Sequence, residues 1–199
     1  MTMPFDAMTA VSDDDLLALY AKGDRLAARV LTERLVPRVL GYASRILGGD
    51  RAEAEDVAQE AMLRLWRIAP EWRAGEARVS TWVYRVVTNL CTDRLRSGRR
   101  RARPMGDDLP DAADEAPGAE TRMLDDARLT ALNAALGQLP DRQREAVVLR
   151  HIEGLSNPEI AEVLGVGVEA VESLTARGKR PCPRPWRGSA RPWIRGELR

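Results

Sequence analysis

Residues 154–171 read GLSNPEIAEVLGVGVEAV, and this stretch sets the expectation for the fold. Ser156 is a residue type whose oxygen can accept from the free N–H groups of a first helical turn. Pro158 falls inside that turn, where its missing N–H costs nothing. Ala161 is small at the point where two helices would cross. Gly165 permits a tight turn, and a second helix follows from about Val168. Ile160, Leu164, Val166 and Val171 have the spacing to pin the two helices together. The pattern is a helix-turn-helix, whose second helix can enter the major groove of duplex DNA. That helix offers Glu169, Glu172, Ser173, Thr175, Ala176 and Arg177, with Lys179 and Arg180 at its end. Glu159 and Glu162 read as surface charges.

Moving outward, Leu139-Pro140-Asp141 is a helix start with an acid in the first turn. Four helical segments are expected in this C-terminal unit, at about Arg122–Leu136, Asp141–Ile152, Asn157–Leu164 and Val168–Arg180. Upstream, from Pro104 to about Glu120, the chain turns acidic and rich in proline, glycine and alanine, with almost no large apolar residues. That composition predicts a flexible linker.

The N-terminal half has helical periodicity of its own. A first helix is expected from Ser12, which with Asp15 forms an approximate capping box. A second covers about Leu26 to Leu47. Pro37 is expected to bend or split it, and Gly48-Gly49 ends it. A third runs from about Arg51 to Ile68, with Ala54, Val57, Ala58, Ala61, Leu65 and Ile68 as the buried stripe. After a loop at about residues 70–75, a fourth runs from Ser80 to about Arg99. Val83, Val86, Val87 and Leu90 are its apolar face, and Arg85, Asn89, Thr92 and Arg96 a polar one. The polar face runs into an arginine cluster at Arg99, Arg100, Arg101 and Arg103.

The composition agrees with an all-α chain. Hydrophobic residues make up 44% and aromatics only 5% of the 199, and few runs read as β-branched strands. Net charge is +1, so the local clusters carry the electrostatic information, since a neutral protein can still present one basic face to phosphates. Cys91 and Cys182 stand far apart, and His151 is alone, so no metal site is expected. No apolar run reaches the ~20 residues of a membrane span, and the acidic N-terminus lacks a signal-peptide pattern. A cytoplasmic protein without membrane insertion is expected. Asp56 and Glu60 lie four apart, as metal-binding carboxylates can, with Glu33 the nearest further candidate. No nucleophile–base pair, phosphate-cradling loop or zinc motif accompanies them. Neither an enzyme nor a cofactor is expected.

Two blocks in the N-terminal half then carry a resemblance. DVAQEAMLRLWR, residues 56–67, resembles the polymerase-binding helix of sigma-70 family transcription factors. STWVYRVVTNLCTDRLR, residues 80–96, resembles the adjoining helix that melts and reads the −10 promoter element. The stretch from Leu139 to Arg180 is similar to the domain that reads the −35 element. Short length with two domains resembles the extracytoplasmic-function group. The resemblance implies two small helical domains, residues 1–103 and 122–180, joined by a linker at 104–121 and followed by an atypical tail at 181–199.

It also implies partners and residue roles. Asp56, Gln59, Glu60, Leu63 and Arg64 would meet core RNA polymerase, whose β′ and β subunits are the expected protein partners. Trp82, Arg85, Asn89 and Arg96 would approach the −10 strand, where aromatic and guanidinium planes can stack on unpaired bases. Arg99, Arg100 and Arg101 would hold phosphates. Ser156, Ser173, Ala176 and Arg177 would lie near the −35 element, with Lys179 and Arg180 on its backbone. An anti-sigma protein is a further partner that the resemblance allows. Two features depart from the family. Glu172 stands where a basic residue is usual, so it either reads a cytosine amino group or faces away. After Arg180 the chain reads PCPRPW, a proline alternation that forbids a helix and suggests a shifted reading frame.

Overall fold

The computed structural model describes residues 8–73, 75, 77–101 and 130–178, without the side chains of 99–101. Among these residues every regular element is helical. The order is α1 (Asp13–Ala21), α2 (Arg25–Ile46), α3 (Arg51–Ile68), a short 3-10 turn (Ala69–Glu71), α4 (Val79–Arg101), α5 (130–137), α6 (Asp141–His151), α7 (Asn157–Leu164) and α8 (Val168–Gly178). The linker at 104–121, the start expected at Arg122, the tail at 181–199, and Lys179 and Arg180 lie outside the described residues.

Side-chain caps fix most helix starts. Ser12 Oγ accepts from Asp15 N–H (3.1 Å) and donates to the Asp15 carboxylate (2.7 Å). Asp24 accepts from Leu26 and Ala27 N–H at the head of α2. Asp50 does the same for Glu53 N–H in α3. Each cap satisfies a donor that the first turn cannot. The head of α4 is capped from another helix, by Asp14 of α1 on Val79 N–H (3.1 Å).

One expectation needs correction. Pro37 does not split α2, which is continuous from Arg25 to Ile46. Pro37 and Glu33 are both exposed. The Glu33 carbonyl that loses its i+4 donor can therefore turn to water, which lowers the usual cost of an interior proline.

The first unit packs α1, α2, α3 and α4 around Leu16, Leu17, Leu31, Leu35, Ile46, Val57, Leu65, Val83 and Val87, all essentially without solvent contact. At ~25 cal/mol per Å² of apolar surface, each such leucine stabilises the core by about 2 kcal/mol. Two interior hydroxyls are paired. The Tyr42 hydroxyl lies 2.8 Å from Thr88 Oγ1, which itself donates to the Tyr84 carbonyl. The Tyr42 and Tyr84 rings meet edge to face at 5.3 Å. Arg94 of α4 donates to Glu53 of α3 (2.7 Å).

The second unit is folded around Leu136, Ala146, Val147, Val148, Leu149, Ile160, Val163, Leu164 and Val171. Arg144 is buried in it and donates to the carbonyls of Leu136, Gly137 and Leu139 at and just beyond the end of α5. A fourth bond crosses to the first unit, from Arg144 to the Ile46 carbonyl at 2.7 Å. The two units are in direct contact, with α7 lying on α4 and α6 on α2.

Candidate functional site

Three surfaces hold the residues singled out from the sequence. The first is the face shared by α2 and α3. The stripe expected inside α3 is buried at Ala54, Val57, Ala58, Ala61 and Leu65, while Ile68 is half-buried. On the opposite side Leu63 is 43% exposed, and the only other large hydrophobic residue as open among the described ones is Val168. Leu63 borders an apolar cavity of about 350 Å³, together with Val36, Leu40, Met62 and Trp66. Asp56, Gln59 and Arg64 are exposed around it. Arg64 donates to Glu60 at 2.8 Å, and that bond holds the Glu60 carboxyl below its ordinary range. An open leucine beside an apolar groove, with charged side chains on the same helix, is the composition of a protein-binding patch. Of the other carboxylate considered for a metal, Glu33 is paired with Arg29 (2.9 Å).

The second surface is α4. Arg85, Asn89 and Arg96 are exposed, so one face of the helix presents three free polar groups over about three turns. Thr92, expected with them, is turned instead toward the second unit, with Oγ1 on the Thr88 carbonyl (2.8 Å) and near Glu145 (3.3 Å). Trp82 is half-buried, and its ring meets Trp72 edge to face at 6.1 Å. The two indoles, with Ile68, Glu71, Arg73 and Ala77, line an open cavity of about 620 Å³. Trp72 was not singled out in the sequence, because it stands ten residues from Trp82 outside any helical period. Trp66 packs edge to face on Tyr20 at 4.7 Å. The side chains of Arg99, Arg100 and Arg101 lie outside the described residues, although α4 itself reaches Arg101.

The third surface is the helix-turn-helix of α7 and α8. Gly165 closes α7 with φ of 64°, the left-handed conformation that favours glycine. Ile160, Leu164 and Val171 are buried as expected, and Val166 is half-buried. Glu159 is not a plain surface charge. It accepts from Ser156 N–H (2.8 Å) and Ser156 Oγ (2.6 Å), completing a capping box, and from Arg78 of the first unit (3.0 Å). The bond from the Ser156 hydroxyl, with the Arg78 charge beside it, holds the Glu159 carboxyl below its usual range. The signal was present in the sequence as Ser156 followed by Glu159, the spacing of that motif. The hydroxyl of Ser156 is therefore committed to the cap.

On α8, Ala176 and Arg177 are exposed and Ser173 is half-buried. Arg177 folds back along its own helix, donating to Ser173 Oγ (2.6 Å) and to the Ser173 carbonyl (3.3 Å). Glu172 is exposed and accepts from the Asn157 amide at 3.4 Å. A helix face with small and polar side chains of this kind can be pressed against base edges. Among the described residues no group of three or more His, Cys, Asp or Glu is arranged to hold a metal, and no helix is long and apolar enough to cross a membrane.

Residues 31–101 match the family described as Sigma-70 region 2, and residues 129–182 match Sigma-70, region 4. The chain is 36% identical over 168 residues to the ECF RNA polymerase sigma factor SigM of Mycobacterium tuberculosis (strain ATCC 25618 / H37Rv), covering 84% of this chain and 81% of that protein. It is 38% identical over 154 residues to the ECF RNA polymerase sigma factor SigE of Mycolicibacterium smegmatis, covering 75% of this chain and 58% of that one. Among solved structures it resembles CnrH in complex with the cytosolic domain of CnrY, with a TM-score of 0.62 and 27% identity over 85% of this chain and 93% of that one. The fold is also that of the sigma factor RpoE from Bartonella quintana, at a TM-score of 0.59, 18% identity and coverage of 75% and 90% of the two chains. With both family models matched in order along two helical units, and relatives of this identity and coverage, the chain belongs to the extracytoplasmic-function group of sigma-70 factors and is an RNA polymerase sigma factor of transcription initiation.

Proposed function

We propose that the two units divide the work of initiation. Residues 1–103 bind core RNA polymerase and read and melt the −10 element, residues 122–180 read the −35 element, and residues 104–121 tether them. The observation that carries this reading is the open Leu63 at an apolar groove that Gln59 also lines, on the helix that carries Asp56, Glu60 and Arg64. A leucine 43% exposed is hard to explain by the fold of the chain alone and is suited to the polymerase β′ subunit, with β meeting the chain elsewhere.

Arg85, Asn89 and Arg96 on α4 would face the −10 strand, with Arg99, Arg100 and Arg101 on phosphates. The indole pair Trp72 and Trp82 borders a cavity of about 620 Å³, roomy enough for an unstacked base. That geometry supports strand separation by capture of bases, without nucleotide hydrolysis. In the second unit Ala176, Ser173 and Arg177 would approach −35 base edges, and Lys179 and Arg180 the backbone. Arg177 must leave Ser173 to do so. Such a role is binding rather than catalysis, and it is exercised in the cytoplasm on promoters of a signal-responsive regulon. The structure of the relative CnrH holds the cytosolic domain of a second protein, CnrY. This supports an anti-sigma partner for the present chain.

Run-off transcription with core polymerase and a promoter library tests the assignment. Asp56→Ala with Leu63→Ala is expected to weaken core binding at least ~10-fold, the scale of one interface anchor. Asn89→Ala is expected to change −10 selection with core binding intact. Unchanged promoter choice in the Asn89 variant would remove that face of α4 from the reading.

A further inference from the structure

Val168 is 41% exposed, and among the described residues only Leu63 is another large hydrophobic residue so open. Leu63 is accounted for by its groove, and Val168 is not. It is the first residue of α8, the end of a recognition helix whose side chains meet base edges in the major groove. Val171, three residues on, is the valine that enters the core. The fold therefore has no use for an apolar side chain at 168.

Glu172 lies one turn beyond Val168, and Ala176 one turn beyond Glu172. Residues four apart share a helix face, so the three form one stripe, and all three are exposed. Glu172 faces the groove whenever Ala176 does. The Asn157 amide, in the first turn of α7, donates to Glu172 Oε1 at 3.4 Å. That is longer than the usual distance of about 2.9–3.0 Å, so the contact gives way to a better donor. Positive charge enters α8 only in its last turn, at Arg177. The first two turns are thus unsuited to phosphates and suited to base edges.

The chemistry of the groove then chooses the bases. A carboxylate among phosphates is repelled unless a base edge donates to it. Adenine donates through N6 but sets its N7 acceptor beside that group, against the second carboxylate oxygen. Cytosine donates through N4 and has no acceptor on its own major-groove edge. For an apolar side chain, the matching feature is the C5 methyl of thymine. We propose, resting on the −35 reading of residues 122–180, that Glu172 accepts from the N4 amino group of a cytosine in the −35 element and that Val168 covers the methyl of a thymine near it. The acid at 172 is then a selector of sequence and not a weakened phosphate contact.

The test is run-off transcription by holoenzyme, made from core polymerase and the full chain, on promoters randomised across the −35 element. Wild type is expected to favour cytosine at one position by at least ~5-fold, the scale of one good base contact. Glu172→Gln should move that position to adenine, whose N6 and N7 match an amide, and Glu172→Lys should move it to guanine. Deoxyuridine in place of each −35 thymine removes only the methyl. Wild type should lose about fourfold at one thymine, the worth of one buried methyl, and Val168→Ala should be indifferent there. Both positions are exposed, so these variants keep the fold. Base preferences that neither Glu172 variant moves overturn the cytosine contact, and so does a uniform gain in promoter binding on every sequence, the mark of a charge that merely repels phosphates. A deoxyuridine loss that persists in Val168→Ala overturns the thymine contact. A wild type indifferent to the whole −35 library overturns the reading of residues 122–180 as well, whereas firm −35 preferences that ignore Glu172 and Val168 overturn these two contacts alone.

Discussion

Arg144 shows how much a single buried side chain can organise. Its guanidinium serves three carbonyls at the end of α5 and one at the end of α2, and it is 8% exposed. Each carbonyl is an end-of-helix or loop acceptor with no intrahelical donor. Arg144→Ala should leave the carbonyls of Gly137, Leu139 and Ile46 without this donor, while Leu136 keeps its bond from Leu139 N–H (3.0 Å), at ~1–3 kcal/mol for each one that water cannot reach. A loss of about 3 kcal/mol or more is expected by urea denaturation. Arg144→Lys should recover little, because an ammonium cannot span a planar fork of four acceptors. A full recovery by lysine would show that charge, and not the fork, is what this position needs. Nothing in the local sequence marks Arg144 out for this role. Its burial depends on where α5 and α2 end in space, which no local pattern encodes.

At the scale of the element, the helix limits were the legible part of the chain. Ser12, Gly48-Gly49, Ser156 and Gly165 act locally, so their chemistry could be read in place. The buried stripe of α3 and the open Leu63 follow from one helical period. What could not be read was which polar residues meet across elements. Thr92 shares a period with Asn89 and Arg96, yet α6 approaches from its side and takes it. Gly178 is a related case. A β-carbon there would lie 2.5 Å from Val147 Cγ2 and 3.4 Å from the Gln143 carbonyl oxygen, so α8 ends pressed on α6 without a side chain between them. Val147 is fully buried and cannot give way. Gly178→Ala should cost about 1–3 kcal/mol of stability by overpacking. It should also tilt the end of α8 that carries Ala176 and Arg177. Thermal denaturation checks the first effect, and binding of the full chain with core polymerase to promoters altered at −35 checks the second. Loss of stability with unchanged −35 preference would separate the packing of α8 from its reading of DNA.

For the whole molecule, the packing of the two units against each other carries a dependence on pH whose sign follows from burial. Glu145 and Glu153 both have carboxyls held above the ordinary range, by burial first. Around Glu153 stand Tyr84 of α4 and Arg38 and Arg45 of α2, which oppose the rise but do not cancel it. Around Glu145 stand Thr92 of α4, and Arg142 and Asp141 of its own helix. Parting the units hydrates Glu153, whose donors all lie on the other unit, and returns it toward an ordinary carboxyl. The closed form thus binds more protons than the open one, and acid favours it. The contribution is fully present below the ordinary carboxylate range and is lost as pH rises through the raised values of the closed state. Glu159 sets a lower bound, because its carboxyl is held below the usual range, and its cap and its pair with Arg78 are lost once pH falls that far. Scattering from the free chain should therefore show compaction as pH drops from about 8 toward the carboxylate range. Glu153→Gln, which keeps an acceptor for Tyr84 but cannot ionise, should flatten that profile. A wild-type profile that expands steadily on acidification, or one that Glu153→Gln leaves unaltered, would show that the charge of Glu153 does not govern the closure of the two units.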